Sequence, residues 1–311
     1  MDSFSITDQL FNKNIIKVKR VLVYGQTLKD SHMKYLKVLL QKLKKEGIEV
    51  YFFAPFFQYL KKDFGFDETH KYLSNTDELL RNNIDFLISI GGDGTILNSA
   101  VLVHDSNIPI IGINLGRLGF LAIVEKNIIT EAIDNIINGN YLLQQRSLLN
   151  LVSEPELFKG DSFALNDFTM HKSASSSVIV VHTYLNGIFL NTYWADGLIV
   201  STPTGSTGYS LSCGGPIVFP GSGNFVITPV APHNLTMRPI VVPDDSELLF
   251  EVETRSDSFL VTLDSRYETI TQKHKLIIKK ANFKINLIIF EGYEFSKSIR
   301  NKLNWGNDKR N

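Results

Sequence analysis

Asp85-Phe-Leu-Ile-Ser-Ile-Gly-Gly-Asp-Gly-Thr-Ile-Leu97 is the stretch whose reading decides the fold. An apolar run ends at Ile90. Gly91, Gly92 and Gly94 then surround one carboxylate, Asp93, and Thr95 opens a stretch to His104 with apolar residues at helical spacing. This pattern predicts a buried strand, a sharp turn and a helix start. Glycines in such a turn leave backbone N–H groups uncovered, and N–H groups at a helix start attract phosphate. Asp93 would then stand beside a bound phosphate, an odd place for a structural acid. The plainer alternative is a βα turn in which Asp93 caps the helix.

Working outward, the first half of the chain alternates its periods. Arg20 to Tyr24 reads as a buried strand closed by Gly25. Met33, Leu36, Leu40 and Leu43 line one face of a helix that ends at Gly47, with Lys34, Lys37, Lys42 and Lys44 on its solvated side. Ile48 to Ala54 is the next strand, Phe56 to Leu80 reads as a short helix and a loop, and Pro109 to Ile113 is another strand. Such alternation predicts an α/β domain with a parallel, Rossmann-like sheet and helices on both faces. Ligands of these sheets bind beyond the carboxyl ends of the strands. Asp93 and Asn114 both lie just past such ends, so Asn114-Leu-Gly-Arg-Leu-Gly-Phe120 is expected at the same edge. Taken alone, that loop is a Gly-rich turn with Leu115 and Leu118 in the core.

The second half changes period. Ile129, Ala132, Ile133, Ile136 and Ile137 make one more helix stripe, closed by Gly139. Short strands follow, among them Arg146 to Val152, Phe163 to Met170, Val178 to Leu185, Lys275 to Lys279 and Ile285 to Phe290. Asn186-Gly187 separates two of them and is a strong hairpin signal. The expectation is an all-β, sandwich-like domain over 123–290. It follows an α/β domain over 1–122, to which a C-terminal helix (Glu294 to Trp305, within about 291–311) returns.

Composition narrows the partners. Lys plus Arg and Asp plus Glu both count 32, so no net positive field favours nucleic acid or an anionic membrane. The single cysteine, Cys213, excludes an internal disulfide framework and a cysteine zinc cluster, and fits a reducing, cytoplasmic setting. Met1 to Lys19 lacks the apolar core of a signal peptide, and no apolar run reaches bilayer-spanning length.

Asp196-Gly-Leu-Ile-Val-Ser-Thr-Pro-Thr-Gly-Ser-Thr-Gly-Tyr-Ser-Leu-Ser212 points to a function. Hydroxyls, glycines and a proline fill Ser201 to Ser212, a composition that argues against a regular element. Flanking apolar strands make it an ordered binding loop. Its hydroxyls suit a ribose or phosphate, and Tyr209 suits stacking on a flat ring. Asp196, at a strand end, can accept a hydrogen bond from a ribose hydroxyl or an amide.

This loop, Gly91-Gly-Asp-Gly-Thr95, Asn114 to Leu121, Asn166-Asp167, and Ile227-Thr-Pro-Val-Ala-Pro-His-Asn234 with Arg238-Pro239 resemble the NAD kinase family, in that family's order. The resemblance implies an α/β domain followed by a β-sandwich domain. It implies transfer of the γ-phosphoryl group of ATP to the 2′-hydroxyl of the adenosine ribose of NAD, with a divalent metal ion, Mg²⁺, whose ligands it does not name. Asp93 matches the acid assigned as proton acceptor, and Gly94 a residue lying against the dinucleotide. Asn166 matches an adenine-binding residue, Asp167 a ribose-binding position that is usually Glu, and Asp196 a carboxylate near the nicotinamide end. Thr204, then Thr207, Gly208, Tyr209, Ser210, Leu211 and Ser212, match the run around the adenosine half. The Gly91, Gly92 and Thr95 backbone is expected on the phosphates. Members of the family form homodimers or homotetramers.

The chain departs from the family pattern at several positions. Asp167 is one methylene shorter than Glu. Gly208 stands where Ala is usual. Arg266 stands where some members have Gln, and would contact a phosphate or form a surface ion pair. Asn98 and Ser177 occupy positions that are often basic or His. His171 and His233 read as hydrogen-bonded structural residues and Cys213 as a packing residue. Two competing readings are a diacylglycerol-type lipid kinase, which shares Gly-Gly-Asp-Gly-Thr, and a non-catalytic NAD(P) sensor.

Overall fold

The computed structural model of the protein describes residues 18–66, 69–117, 119–173, 178–256 and 258–305. Packing divides the chain into two units: Met1–Gln145 with Ile285–Asn311, and Arg146–Lys284. Ser177 lies outside the described residues.

The first unit is built as its alternating pattern dictates. It runs β1 (Arg20–Tyr24), α1 (Met33–Lys45), β2 (Glu49–Phe53), α2 (Ala54–Phe64), β3 (Lys71–Leu73), α3 (Thr76–Arg81), β4 (Phe86–Gly91), α4 (Asp93–Val103), β5 (Ile110–Asn114), β6 (Val124–Glu125) and α5 (Ile129–Ile137). The sheet order is β5-β4-β1-β2-β3, all parallel. Strand β4 is apolar and buried from Phe86 to Ile90, as a strand covered on both faces must be. Leu36, Leu39 and Leu43 of α1 are fully buried; Leu39 takes the place expected for Leu40, which is half-buried. The segment Phe56 to Leu80 holds the rest of α2, a strand and a further helix. Ala132, Ile133 and Ile136 of α5 belong to this unit's core, so the unit continues past the expected limit at 122.

From the first unit β7 (Leu142–Glu154) leads into the second. There follow β8 (Phe163–Ala164), β9 (Asp167–Lys172), β10 (Ile179–Leu185), β11 (Ile188–Ala195), β12 (Gly197–Ser201), a helical turn α6 (Tyr209–Ser212), β13 (Asn224–Val230), β14 (Ile240–Pro243), β15 (Leu248–Thr254), β16 (Phe259–Leu263) and β17 (Arg266–Ile270). One antiparallel sheet has the order β14-β13-β12-β9-β16-β17. Strands β11, β10 and β15 form a second antiparallel array. Side chains of both meet in one core, where Phe168 of β9 lies 6.3 Å from Phe250 of β15. Asn186 and Gly187 both have positive φ (51° and 77°) and close the β10–β11 hairpin, the geometry an Asn-Gly turn favours.

Strand β18 (Lys275–Ile289) begins in the second unit and ends in the first, where Leu287 pairs in parallel with Ile110. Helix α7 (Phe295–Leu303) closes the described chain and counts with the first unit, as expected of the C-terminal helix. No helix among the described residues is long and apolar enough to cross a membrane.

Candidate active site

In the first unit, strands β4 and β5 end side by side, with Gly91 in register with Asn114. Two loops therefore start from one edge. Thr95 organises the first: its Oγ1 accepts the Gly92 N–H at 3.3 Å. A Cβ on Gly91 would lie 2.2 Å from that hydroxyl, so only glycine fits there. Gly92 and Gly94 are different, because a Cβ on either would meet nothing within 4 Å. The space over both is open, but the Gly92 N–H is spent on Thr95 Oγ1 and the Thr95 N–H on Gly92 O at 3.0 Å, so neither of these two amides is left for the expected phosphate site. Asn114 organises the second loop. It is buried, its Oδ1 accepts the Gly116 N–H at 2.7 Å, and its Nδ2 donates to Arg117 O at 2.8 Å.

Asp93 joins the two loops. It does not cap α4; Gly92 holds the cap position and Asp93 is the first helical residue. The carboxylate reaches across to three backbone amides. Phe120 N–H donates to Oδ2 at 2.6 Å, and Leu121 and Ala122 N–H donate to Oδ1 at 3.1 and 2.9 Å. Bonds to an ionised acceptor of this kind contribute about 2 kcal/mol each. This close approach depends on Gly119, where a Cβ would sit 1.7 Å from Oδ1. A carboxylate offers about four lone-pair directions. Three are taken, two of them on Oδ1, so the open one is on Oδ2 of a half-buried side chain. Asn98 turns back on its own helix, with Nδ2 donating to Gly94 O at 3.1 Å.

The second unit gathers the Asn166 group. Asp264, at φ +53°, accepts N–H bonds from Leu165 (2.9 Å), Asn166 (2.7 Å) and Asp167 (3.2 Å), fixing the backbone of that motif. Asn166 O takes the Thr202 N–H at 2.8 Å and presses on Gly205, where a Cβ would lie 2.1 Å from it. The Asn166 Oδ1 is buried with no hydrogen-bond partner among the described residues. Asp167 is buried and accepts from Thr169 Oγ1 at 3.2 Å. Burial, reinforced by the nearby Asp264 charge, pushes its pKa up to about 7. Burial likewise raises Asp264, against the pull of its three amide bonds.

Ser201 to Ser212 is more regular than its composition suggests, with a 3₁₀ turn over Gly205–Thr207 followed by α6. Most of its hydroxyls face inward, which corrects the expectation that they line a ligand. Thr202 Oγ1 donates to Leu165 O at 2.5 Å, Ser206 Oγ to Pro203 O at 2.7 Å, and Ser210 Oγ shares a bond with Thr228 Oγ1 at 2.8 Å. Thr204 is buried, 3.5 Å from Arg146 Nη1. Facing outward or half-outward are Thr207, Gly208, Tyr209, Leu211 and Ser212. The Tyr209 ring lies 5.6 Å from His171, whose pKa burial lowers. Burial also raises the Cys213 thiol, consistent with an inert packing residue.

Other expected positions came out differently. The Arg266 guanidinium points inward, donating to the carbonyls of Asp161 and Phe163 and lying over the Phe158 and Phe163 rings. It braces these carbonyls and rings, and forms no ion pair within salt-bridge distance among the described residues. Asp196 is ion-paired with Lys172 at 2.8 Å. His233 is exposed, and its backbone N–H, not its ring, is the paired group, to Trp194 O. Sequence reasoning missed Gly119, Asp264 and Lys172. Asp264 was within reach, since it stands in the quoted Leu263-Asp-Ser-Arg266. No cluster of three or more His, Cys, Asp or Glu among the described residues could hold a metal ion.

Comparison with known proteins shows the family. Residues 12–141 match the ATP-NAD kinase N-terminal domain family, and residues 165–290 the ATP-NAD kinase C-terminal domain family. An NAD kinase of Cytophaga hutchinsonii is 47% identical over 93% of this chain and 99% of that protein. One of Flavobacterium johnsoniae is 46% identical over 94% and 100%. Among solved structures, yeast NADH kinase complexed with NADH superposes with a TM-score of 0.82 at 20% identity, covering 94% of this chain and 89% of that one. An NAD kinase from Archaeoglobus fulgidus in complex with ATP gives 0.67 at 25% identity, covering 92% and 97%. With both family domains matched and near-full-length relatives above two-fifths identity, the chain belongs to the NAD kinase family.

Proposed function

We propose that the protein transfers the γ-phosphoryl group of ATP to the 2′-hydroxyl of the adenosine ribose of NAD, giving NADP. The observation that carries this reading is the Asp93 carboxylate, fixed by three amides with one direction open on Oδ2, next to the open space over Gly92 and Gly94. A ribose hydroxyl is a weak nucleophile at neutral pH. Asp93 takes its proton while the new P–O bond forms and the bond from the γ-phosphorus to the bridging oxygen breaks, releasing ADP with that electron pair. Phosphoryl transfer is accelerated mainly by alignment and charge neutralisation, to which the N-terminal end of α4, at Asp93 and Gly94, would contribute.

The divalent ion, Mg²⁺ in this reading, supplies further neutralisation when bound. Such an ion would be expected to arrive on the triphosphate and keep several waters. For the dinucleotide, the unpaired Asn166 Oδ1 is suited to an adenine amino group and the exposed face of Tyr209 to a flat ring. By family likeness Asp167 carries a ribose contact, Asp196 lies near the nicotinamide end, and the Thr207 to Ser212 turn wraps the adenosine half. A cytoplasmic homodimer or homotetramer belongs to the same reading, on the family's pattern alone. Incubation with NAD, ATP and Mg²⁺, with NADP detected by an NADP-specific dehydrogenase, tests the reading. ATP- and metal-dependent NADP formation is expected, and its absence across divalent metals overturns the proposal.

A further inference from the structure

Lys302 of α7 is half-buried, and among the described residues no anion is in contact with its ammonium. Its Nζ is enclosed and has no hydrogen-bond partner among the described residues. It lies 3.9 Å from the centroid of the Phe120 ring. Phe120 is also held by Tyr293 Oη, which donates to its carbonyl at 3.5 Å, and by the Phe295 ring at 6.1 Å. The same residue gives its N–H to Asp93. The C-terminal segment thus grips the residue that grips the carboxylate, and sets one positive charge on that residue's ring. Burying an ammonium with only a ring face for company is costly, so a chain that retains one invites a functional account.

We propose that Lys302 is a positioning residue for phosphoryl transfer: its ammonium, seated on Phe120, offsets the Asp93 charge so that the triphosphate of the donor can lie beside that carboxylate. This rests on the kinase reading above. Two negative groups must share one small region, and a cation seated on Phe120, the residue whose N–H Asp93 accepts, lowers the repulsion between them. Burial pulls the Lys302 pKa down to about 8, while Asp93 pulls it back up. Among the described residues Asp93, from α4, is the charge that acts on it; Phe120 brings none from the loop, and Glu294, Lys297 and Arg300 of the helix region add none. An incoming triphosphate favours the charged form further.

The test uses the full chain and Lys302→Met, which keeps the stem and removes the charge. The expected result is a KM for ATP raised about tenfold or more, a KM for NAD changed much less, and a thermal midpoint no lower than the parent's. Lys302→Arg should recover most of the ATP affinity. In the parent, KM for ATP should rise as pH climbs past about 8 with loss of the lysine charge, and this limb should vanish in Lys302→Met. A methionine variant with the parent's kinetics and pH profile overturns the proposal while leaving the kinase reading intact. If the variant does not fold, the parent profile decides: a KM for ATP flat from pH 7 to 9 overturns it. A parent that makes no NADP removes the kinase reading itself.

Discussion

Gly91 to Thr95 and Ser201 to Ser212 are both short runs of small polar residues, and they use them in opposite ways. In the first, the side chains serve the protein and open space is left over the glycines: Thr95 and Asp93 bind amides of their own chain, while a Cβ on Gly92 or Gly94 would meet nothing. In the second, Thr202, Ser206 and Ser210 turn their hydroxyls inward, and the outward surface is left to Tyr209, Leu211 and Ser212. A hydroxyl in a motif is therefore no sign of a ligand contact. Burial decides, because a buried hydroxyl must find a partner within the fold.

Substitutions can break this contrast. The largest effect is expected at Gly119, where a methyl group would displace the Asp93 carboxylate or the loop that holds it. Gly119→Ala should lower kcat about a hundredfold, the scale of an ångström-sized displacement at a reacting centre. Gly94→Ala should leave the thermal midpoint unchanged, since its Cβ meets nothing. A Gly119→Ala enzyme of normal rate would show that the carboxylate does not need its amide cradle.

Ser206→Ala comes next. It leaves the Val218 N–H without its 3.0 Å acceptor and should cost about 1–3 kcal/mol, read as a midpoint several degrees lower. Ser212→Ala, on the exposed side, should not move the midpoint. Equal effects at the two serines would erase the inward–outward distinction.

A smaller, pH-dependent effect is expected at Asp167. Its folded pKa is raised to about 7, against about 3.9 in an unfolded chain. The folded state therefore favours the protonated acid, and the stability this contributes is complete below about pH 4 and lost as pH rises through 7. Asp167→Asn, neutral throughout, should gain on the parent by a few degrees between pH 5 and pH 8. A constant difference across that range would mean the acid titrates normally.

Much of this was legible in the sequence. The apolar runs at β1, β4 and β5, the stripes of α1 and α5 and the Asn186-Gly187 turn each follow from local periodicity. Failures came where local pattern is weak. β3 has three residues, two of them exposed, and β17 alternates exposed Tyr267 with charged neighbours at a sheet edge. β18 was read as two strands because Lys279 and Lys280 interrupt its apolar residues, although the backbone runs on from Lys275 to Ile289. Asp93 and Asn166 could be picked out by motif, but their supports could not. Asp264 binds amides 97 to 99 residues away, and Gly119 matters only once folding brings it against Asp93.

The most direct test is Asp93→Asn, followed by NAD binding and NADP formation on the same preparation. The account predicts dinucleotide affinity within about threefold of the parent and a kcat lower by about a thousandfold or more, the scale of a lost proton acceptor. An asparagine variant that turns over near the parent's rate would contradict it.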